Sequence, residues 1–206
     1  MKAAEMIVLD QTLKTLKLPA ILGGYKEISR QATQANAGYE QFLLTLTERE
    51  IERRQARQSQ QRLKEARFPQ LKPLENTDLD KWPSMNPIQI REYAQGEYIQ
   101  KHENIIFIGQ HGTGKTHAAI ALGIEACRQG YRTFFTTAAS LVNTLVESRE
   151  EKTLQRFLKK IAKYHLLIID ELGYIPFSQQ GAQLLFQVFS KSMTPCLADR
   201  MKMKSG

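Results

Sequence analysis

The feature that most constrains this chain is a short apolar run followed at once by a glycine-rich, basic segment. Residues 105–108 lead directly into the pattern G-x-x-x-x-G-K-T at residues 109–116. Glycines allow the tight backbone that aims successive N–H groups at a phosphate, and the Lys and Thr of this pattern reach the phosphates and Mg²⁺. The Ala- and Leu-rich residues 117–127 predict a helix whose positive N-terminal end faces the same anion. The sequence therefore predicts a phosphate-binding loop between a strand and a helix.

Such a loop predicts binding of a nucleoside triphosphate by all eight of its residues. They are Gly109, Gln110, His111, Gly112, Thr113, Gly114, Lys115 and Thr116. We expect Lys115 to act on the β- and γ-phosphates as a catalytic residue, and the Thr116 hydroxyl to complete a Mg²⁺ shell. His111 would either touch a phosphate or serve as a spacer that points to solvent.

A second motif, at residues 166–171, consists of four apolar residues followed by two carboxylates. The run predicts a buried parallel strand, and ligands bind at the carboxyl ends of such strands. We expect Asp170 to hold Mg²⁺ and Glu171 to orient and deprotonate the attacking water. A kinase would need an acceptor-binding site and a dinucleotide fold would need G-x-G-x-x-G, and we find neither in the sequence.

The composition indicates what kind of partner the chain binds. The net charge of +8 favours a polyanion, and nucleic acid is the preferred partner for a chain that also carries a nucleotide loop. The apolar runs are too short to span a membrane, and no secretory signal is recognisable. Cys127 and Cys196 lack metal or redox spacing, which predicts reduced thiols in a cytoplasmic protein.

Prolines divide the chain into three predicted parts. Four of the seven prolines fall in a stretch rich in turn formers, at Pro69, Pro73, Pro83 and Pro87. We expect a helical N-terminal domain over residues 1–68, a Pro-rich linker over 69–87 and a nucleotide-binding domain over 88–206. The last part alternates predicted strands and helices, which indicates an α/β fold.

The third predicted helix, over residues 39–67, becomes strongly basic in its second half. Its candidate DNA contacts are Arg53, Arg54, Arg57, Arg62, Lys64 and Arg67. Uncompensated arginines three and four residues apart cost some helix stability unless a polyanion lies nearby. The alternative is an ordinary solvated helix surface with Glu–Arg pairs.

Several segments together resemble a known family. The segments are Leu-Pro-Ala at 18–20, Leu-Lys-Glu-Ala-Arg-Phe-Pro at 63–69, the loop at 109–116, Phe-Thr-Thr-Ala-Ala at 135–139 and Ile-Ile-Asp-Glu-Leu-Gly-Tyr at 168–174. They resemble the IstB-like ATP-binding proteins, the transposition helper ATPases of bacterial insertion sequences, which are related to DnaC helicase loaders and the AAA+ superfamily. The resemblance spans about residues 10–190.

This resemblance implies a specific architecture and role. A small all-α domain would precede a P-loop ATPase core, with a parallel sheet flanked by helices. ATP would bind at residues 109–116, Asp170 would hold the metal and Glu171 would act in hydrolysis. The family forms ATP-dependent homo-oligomers on DNA and recruits a cognate transposase, which gives the basic helix a role in DNA contact.

The resemblance breaks down after the helix predicted over residues 179–190. Family members continue into a strand ending in a polar sensor residue, usually Asn after Ser or Thr, and we expect this strand, the later strands and the lid to be missing. Residues 198–201 resemble a later family element whose arginine, here Arg200, acts across a subunit boundary. An internal deletion and a frameshift explain this ending equally well. Two strands of the sheet would then be left unpaired, so we expect weak nucleotide binding and little hydrolysis.

The sequence is therefore compatible with four functions. The leading one is an ATP-binding, DNA-associated transposition helper with impaired hydrolysis. A DnaC-like helicase loader shares the same predicted core. A degenerate DNA-binding remnant would have no enzymatic role, and an ATPase unrelated to nucleic acid would bind DNA weakly or not at all.

Overall fold

A computed structural model describes residues 3–77, 86–173, 178–191 and 196–201. The chain divides into two compact units, Met1–Gln58 and Ser59–Gly206. Pro83 and Tyr174, which belong to the predicted linker and to one of the family-like segments, lie outside the described residues. No helix within the described ranges is long and apolar enough to cross a membrane.

The elements follow one another in a helical part and then an α/β part. The helical part contains α1 (Ala3–Thr15), α2 (Pro19–Gln34) and α3 (Tyr39–Ala66), and the division between the two units falls within α3. The α/β part contains a 3₁₀ turn (Leu74–Asn76), α4 (Pro87–Tyr93), α5 (Glu97–Gln100), β1 (Ile105–Gly109), α6 (Lys115–Arg128), β2 (Thr133–Thr137), α7 (Ala138–Glu150), α8 (Leu154–Ile161), β3 (Leu166–Asp170), α9 (Gln179–Lys191) and β4 (Cys196–Met201).

The first unit is held together by an apolar cluster and by one buried carboxylate. Its buried apolar residues are Leu13, Ile21, Tyr25, Ile28 and Leu46. The buried carboxylate of Glu50 accepts hydrogen bonds from the backbone N–H groups of Ala20, at 2.8 Å, and Ile21, at 3.3 Å. These N–H groups belong to the first turn of α2, where the helix offers them no acceptor. Glu50 therefore caps α2 from a neighbouring helix.

The second unit is built on a parallel four-stranded sheet in the order β1-β4-β3-β2. Every residue of β3 is buried, as expected for a strand covered on both faces. Ile105, Phe107 and Ile168 pack with the buried side of α6 on one face. Leu167 and Ile169 pack with α7 and α9 on the other face. The sheet and its flanking helices confirm the predicted fold class.

The position between β1 and β3 is occupied, so the expectation of a missing strand and two unpaired edges was wrong. β4 pairs in parallel with β1, from Ile105↔Leu197 to Gly109↔Met201, and with β3 over three further pairs. Buried backbone N–H and C=O groups need partners, and six residues that follow α9 are enough to supply them here. Residues 198–201 resemble a later element of the family, and for this reason the sequence did not predict a strand at this position.

Candidate nucleotide-binding site

The glycine-rich loop connects the end of β1 to the start of α6. Gly112 and Gly114 have φ angles of 77° and 86°, which are left-handed values that side chains with a Cβ rarely adopt. A Cβ on Gly109 would lie 3.2 Å from the Thr113 hydroxyl oxygen, closer than ordinary contact allows. Three positions of the loop thus depend on the absence of a side chain. This is the backbone shape that a phosphate cradle needs.

The Lys115 side chain lies inside this loop. It is 9% exposed, and its Nζ donates a 2.8 Å hydrogen bond to the backbone oxygen of Gln110. The Thr113 hydroxyl donates to the same oxygen at 2.9 Å. The Gln110 carbonyl therefore holds the ammonium group at the centre of the loop, close to the N-terminal end of α6. Both the ammonium charge and the helix dipole favour an anion at this point.

The two motifs meet through a direct contact between Thr116 and Asp170. The Thr116 hydroxyl donates a 2.9 Å hydrogen bond to Asp170 Oδ1, which joins the first turn of α6 to the end of β3. The same carboxylate oxygen accepts a 3.1 Å hydrogen bond from the backbone N–H of Glu171. A hydroxyl and a carboxylate are the oxygen ligands that Mg²⁺ takes from proteins, while phosphates and waters supply the rest of its shell. The donor set therefore fits a magnesium ion.

Glu171 is exposed and has a φ angle of 61°. Left-handed backbone is uncommon for a residue with a long side chain and stores conformational energy. Its position directly after β3 places it at the carboxyl edge of the sheet, where it lines the same cavity as the loop. Glu171 therefore lies at the edge of the cavity in which phosphate is expected.

A cavity of about 280 Å³ lies over the loop. Five of the eight predicted loop residues line it, namely His111, Gly112, Gly114, Lys115 and Thr116. Glu171 lines it as well, so the structure brings both motifs to one pocket. The other three loop residues, Gly109, Gln110 and Thr113, shape the loop. Asp170 is joined to the cavity lining by its hydrogen bond with Thr116.

Four further residues line the cavity and were not predicted from the motif. They are Gln70, Lys72, His117 and Ile120. His117 and Ile120 lie on α6, one helical turn apart, and could have been expected from the periodicity of that helix. Gln70 and Lys72 come from the predicted linker, and no motif links them to the loop. Only the folded chain shows that the linker returns to the nucleotide pocket.

His117 ties the linker to α6. Thr77 donates its hydroxyl proton to the backbone oxygen of Pro73, at 3.0 Å, so it can only accept the hydrogen bond from His117 Nε2, also at 3.0 Å. Burial and the nearby charge of Lys72 both lower the pKa of His117 from its ordinary value. The lowered pKa favours the neutral imidazole, and its Nε2 would donate the proton of this hydrogen bond.

The candidate DNA contacts fall in both units. In the first unit, Arg53 and Arg57 are exposed, whereas Arg54 binds Glu50 at 2.9 Å and donates to the Lys17 backbone oxygen at 2.8 Å. In the second unit, Lys64 is exposed and the Arg62 guanidinium lies beside Gly130. Arg67 lies over the Phe134 ring at 5.9 Å. Arg54 thus has a structural role in addition to its predicted one.

Arg200, the predicted arginine finger, lies in β4 in register with Ile108 of β1. Its backbone pairs with β1, whereas the pairing of β4 with β3 ends at Ala198. Its action across a subunit boundary stays a prediction.

Sequence and structure comparisons relate this chain to known proteins. A profile of IstB-like ATP binding proteins matches residues 11–196. An ATP-binding protein assigned to insertion sequence IS5376 of Geobacillus stearothermophilus is 38% identical over 85% of this chain and 70% of its own length. One assigned to IS21 of Pseudomonas aeruginosa is 33% identical over 89% of this chain and 69% of its own length.

Solved structures show the same fold at lower identity. A DnaC helicase loader superposes with a TM-score of 0.53 and 21% identity, over 64% of this chain and 80% of that one. AMPPCP-bound DnaA from Aquifex aeolicus has a TM-score of 0.56 and 22% identity, over 65% of this chain and 42% of that one. These likenesses show that the chain shares its fold with DnaC and DnaA. With the profile covering most of its length, the chain belongs to the family of IstB-like ATP binding proteins.

Proposed function

We propose that this chain is an ATP-binding, DNA-associated helper protein for insertion-sequence transposition. The observation that carries the proposal is the 2.9 Å hydrogen bond between Thr116 and Asp170. It unites the phosphate loop and the acidic strand end beside a cavity lined by Lys115 and Glu171. Membership of a family whose relatives are assigned to insertion sequences supports the biological setting.

ATP binding would begin with the exchange of one contact of Lys115. Its ammonium group now donates to the Gln110 carbonyl, and a phosphate oxygen with a full negative charge is a stronger acceptor than a neutral carbonyl. The loop N–H groups and the start of α6 add to the attraction for the triphosphate. Thr116 and Asp170 would hold Mg²⁺, which neutralises phosphate charge when it is bound.

Glu171 is the residue that we assign to hydrolysis. Its carboxylate lines the cavity and would orient a water molecule and accept its proton. β4 occupies the position expected for the sensor strand, so a missing strand is not a reason to expect low turnover. However, the sequence of β4, Cys-Leu-Ala-Asp-Arg-Met, lacks the asparagine that the family resemblance calls for. We therefore propose slow hydrolysis because the sensor asparagine is missing, although the strand itself is present.

DNA association is supported by a second basic surface, which the sequence analysis did not single out. Residues 152–169 contain five basic residues and no acidic one. All five are exposed, and they are Lys152, Arg156, Lys159, Lys160 and Lys163. Within the described part of the chain, none of them has an ion-pair partner. Such a surface attracts a polyanion, and a DNA backbone is the polyanion that fits an insertion-sequence protein.

Recruitment of a transposase, ATP-dependent assembly into a homo-oligomer, and a location in the cytoplasm complete the proposal. They come from the family membership and from the relatives' association with insertion sequences. The basic surface of α8 and the basic half of α3 would contact DNA, and ATP would control assembly.

The test is a nucleotide titration of the purified full chain, with and without Mg²⁺, followed by a DNA titration at several salt concentrations. We expect ATP binding that is strengthened by Mg²⁺ and is lost in Lys115→Ala, and DNA affinity that falls steeply with salt. Absence of ATP binding in the wild-type chain would overturn the proposal. DNA binding that is absent or insensitive to salt would remove its nucleic-acid part.

A further inference from the structure

We propose that Lys72 is a phosphate-binding residue of the nucleotide site, which acts beside Lys115 although it lies outside the loop motif. The inference rests on the proposed binding of ATP and adds a ligand contact to the same pocket. Lys72 belongs to residues 68–77, the first part of the predicted linker, which we name the strap.

The strap is fixed to α6 at several points. Phe68 packs so closely against Gly123 that a Cβ there would lie 2.9 Å from the ring. The Glu75 carboxylate accepts a 2.7 Å hydrogen bond from Arg128, near the C-terminal end of α6. Thr77 is bonded to His117, in the first turn of the same helix. Lys72 lies in the chain between these attachments, so the backbone that carries it has a defined position over the pocket.

The side chain of Lys72 reaches that pocket. It lines the same cavity as Lys115, Thr116 and Glu171. This places Lys72 beside the phosphate loop and the N-terminal end of α6.

The charges around this cavity call for an anion. Of the Lys, Arg, Asp and Glu side chains that line it, Lys72 and Lys115 are positive and Glu171 is negative, while Asp170 lies behind Thr116, where Mg²⁺ is proposed to bind. Lys72 has no ion-pair partner among the residues that the structure describes. An ammonium group is a compact charge that binds phosphate well and discriminates poorly between flat bases. The ligand chemistry that fits Lys72 is therefore a polyphosphate.

The position of Lys72 has a consequence for the rest of the chain. The strap follows α3 directly, and a phosphate bound by Lys72 would hold the strap as well as the loop. Occupation of the pocket by a triphosphate would thus restrain the segment that connects α3 to the ATPase sheet. ADP, with one phosphate fewer, would provide a weaker restraint.

The experiment compares Lys72→Ala with Lys72→Arg by calorimetric titration of the full chain with ATP, ADP, AMP and inorganic triphosphate. Lys14→Ala is the matched control, because Lys14 is an exposed lysine of α1 and its removal changes the net charge equally. We expect Lys72→Ala to weaken ATP and triphosphate about tenfold, as loss of one charge-assisted hydrogen bond would. AMP should change little, Lys72→Arg should restore most of the affinity, and the control should bind as the wild-type chain does.

Two results would overturn the inference while ATP binding itself stands. One is unchanged affinity of Lys72→Ala for ATP and triphosphate. The other is an equal loss for AMP and ATP together with a lower melting temperature of the nucleotide-free chain, which would assign Lys72 to packing of the strap. Failure of the wild-type chain to bind ATP would instead refute the proposed function.

Discussion

The Thr116 hydroxyl donates a 2.9 Å hydrogen bond to the carboxylate of Asp170, and this contact joins two motifs that lie far apart in the chain. Two oxygen-bearing side chains at this distance need little rearrangement to bind one ion. The hydroxyl only has to turn its proton away and offer a lone pair. The fold itself thus brings together the two side chains that we propose as magnesium ligands.

Asp170→Ala should therefore abolish the effect of Mg²⁺ on ATP affinity. The loop and Lys115 remain, so ATP without metal should bind almost as it does to the wild-type chain. Thr116→Ser keeps the hydroxyl and should preserve the Mg²⁺ effect, which makes it the matched control. Titrations with ATP in Mg²⁺ and in EDTA measure this difference. An undiminished Mg²⁺ effect in Asp170→Ala would show that the ion is held elsewhere.

Glu171→Gln should separate binding from hydrolysis. The amide keeps the size of the side chain but cannot accept a proton from water, so a rate loss of about 10²-fold or more is expected, with ATP affinity almost unchanged. Phosphate release under single-turnover conditions measures the rate, and the titration above measures the affinity. Equal hydrolysis by the variant and the wild-type chain would exclude Glu171 as the base.

The sequence predicted the two motifs and their meeting because both rest on local patterns. Both patterns can be recognised within a few consecutive residues: the glycines around Gly112, and the apolar run that ends in Asp170. The P-loop fold follows from the order of such elements along the chain. The same local reasoning predicted the helical character of the N-terminal unit.

The residues that sequence reasoning missed depend on long-range contacts. Lys72 and Gln70 reach the pocket because contacts distant in the sequence, such as Phe68 with Gly123, hold the strap against α6. The place of β4 between β1 and β3 depends on pairing partners that no window of the sequence contains. Arg54 looked like an uncompensated surface charge, although its partner Glu50 lies one helical turn away.

Gly123→Ala should test the packing of the strap on α6. The added methyl group would lie 2.6 Å from Ile168 Cδ1 and 2.9 Å from the Phe68 ring, so overpacking should lower the free energy of unfolding by about 1–3 kcal/mol. Gly23→Ala is the matched control, because nothing lies within 4 Å of the new Cβ in α2. The control should stabilise its helix by up to about 1 kcal/mol. Urea unfolding followed by circular dichroism measures both, and an equal response of the two variants would contradict the close contact.

Glu50 should make the helical unit sensitive to acid. Burial raises the pKa of this carboxyl, but hydrogen bonds from Arg54 and from the Ala20 and Ile21 N–H groups outweigh it and hold the pKa below its ordinary value. A lowered pKa in the folded state means that the stabilisation is present above the ordinary pKa and is lost as the pH falls through the folded value. Unfolding free energies between pH 7 and pH 3 should therefore decline more steeply in the wild-type chain than in Glu50→Gln. Parallel pH profiles would show that the carboxylate charge does not contribute.

The basic surface of α8 should contribute to DNA binding separately from α3. Replacing Lys159 and Lys160 by Glu removes two exposed cations that have no ion-pair partner among the described residues, and adds two negative charges. Each lost phosphate contact should flatten the dependence of log affinity on log salt by about one unit, so a reduction of about two is expected. The comparison is Arg53→Glu with Arg57→Glu, which makes the same charge change on the exposed face of α3. Fluorescence anisotropy of a labelled duplex and a labelled single strand, at several salt concentrations and with ATP present, measures both slopes. If the α8 variant binds DNA as tightly as the wild-type chain and only the α3 variant fails, the contact belongs to α3 alone.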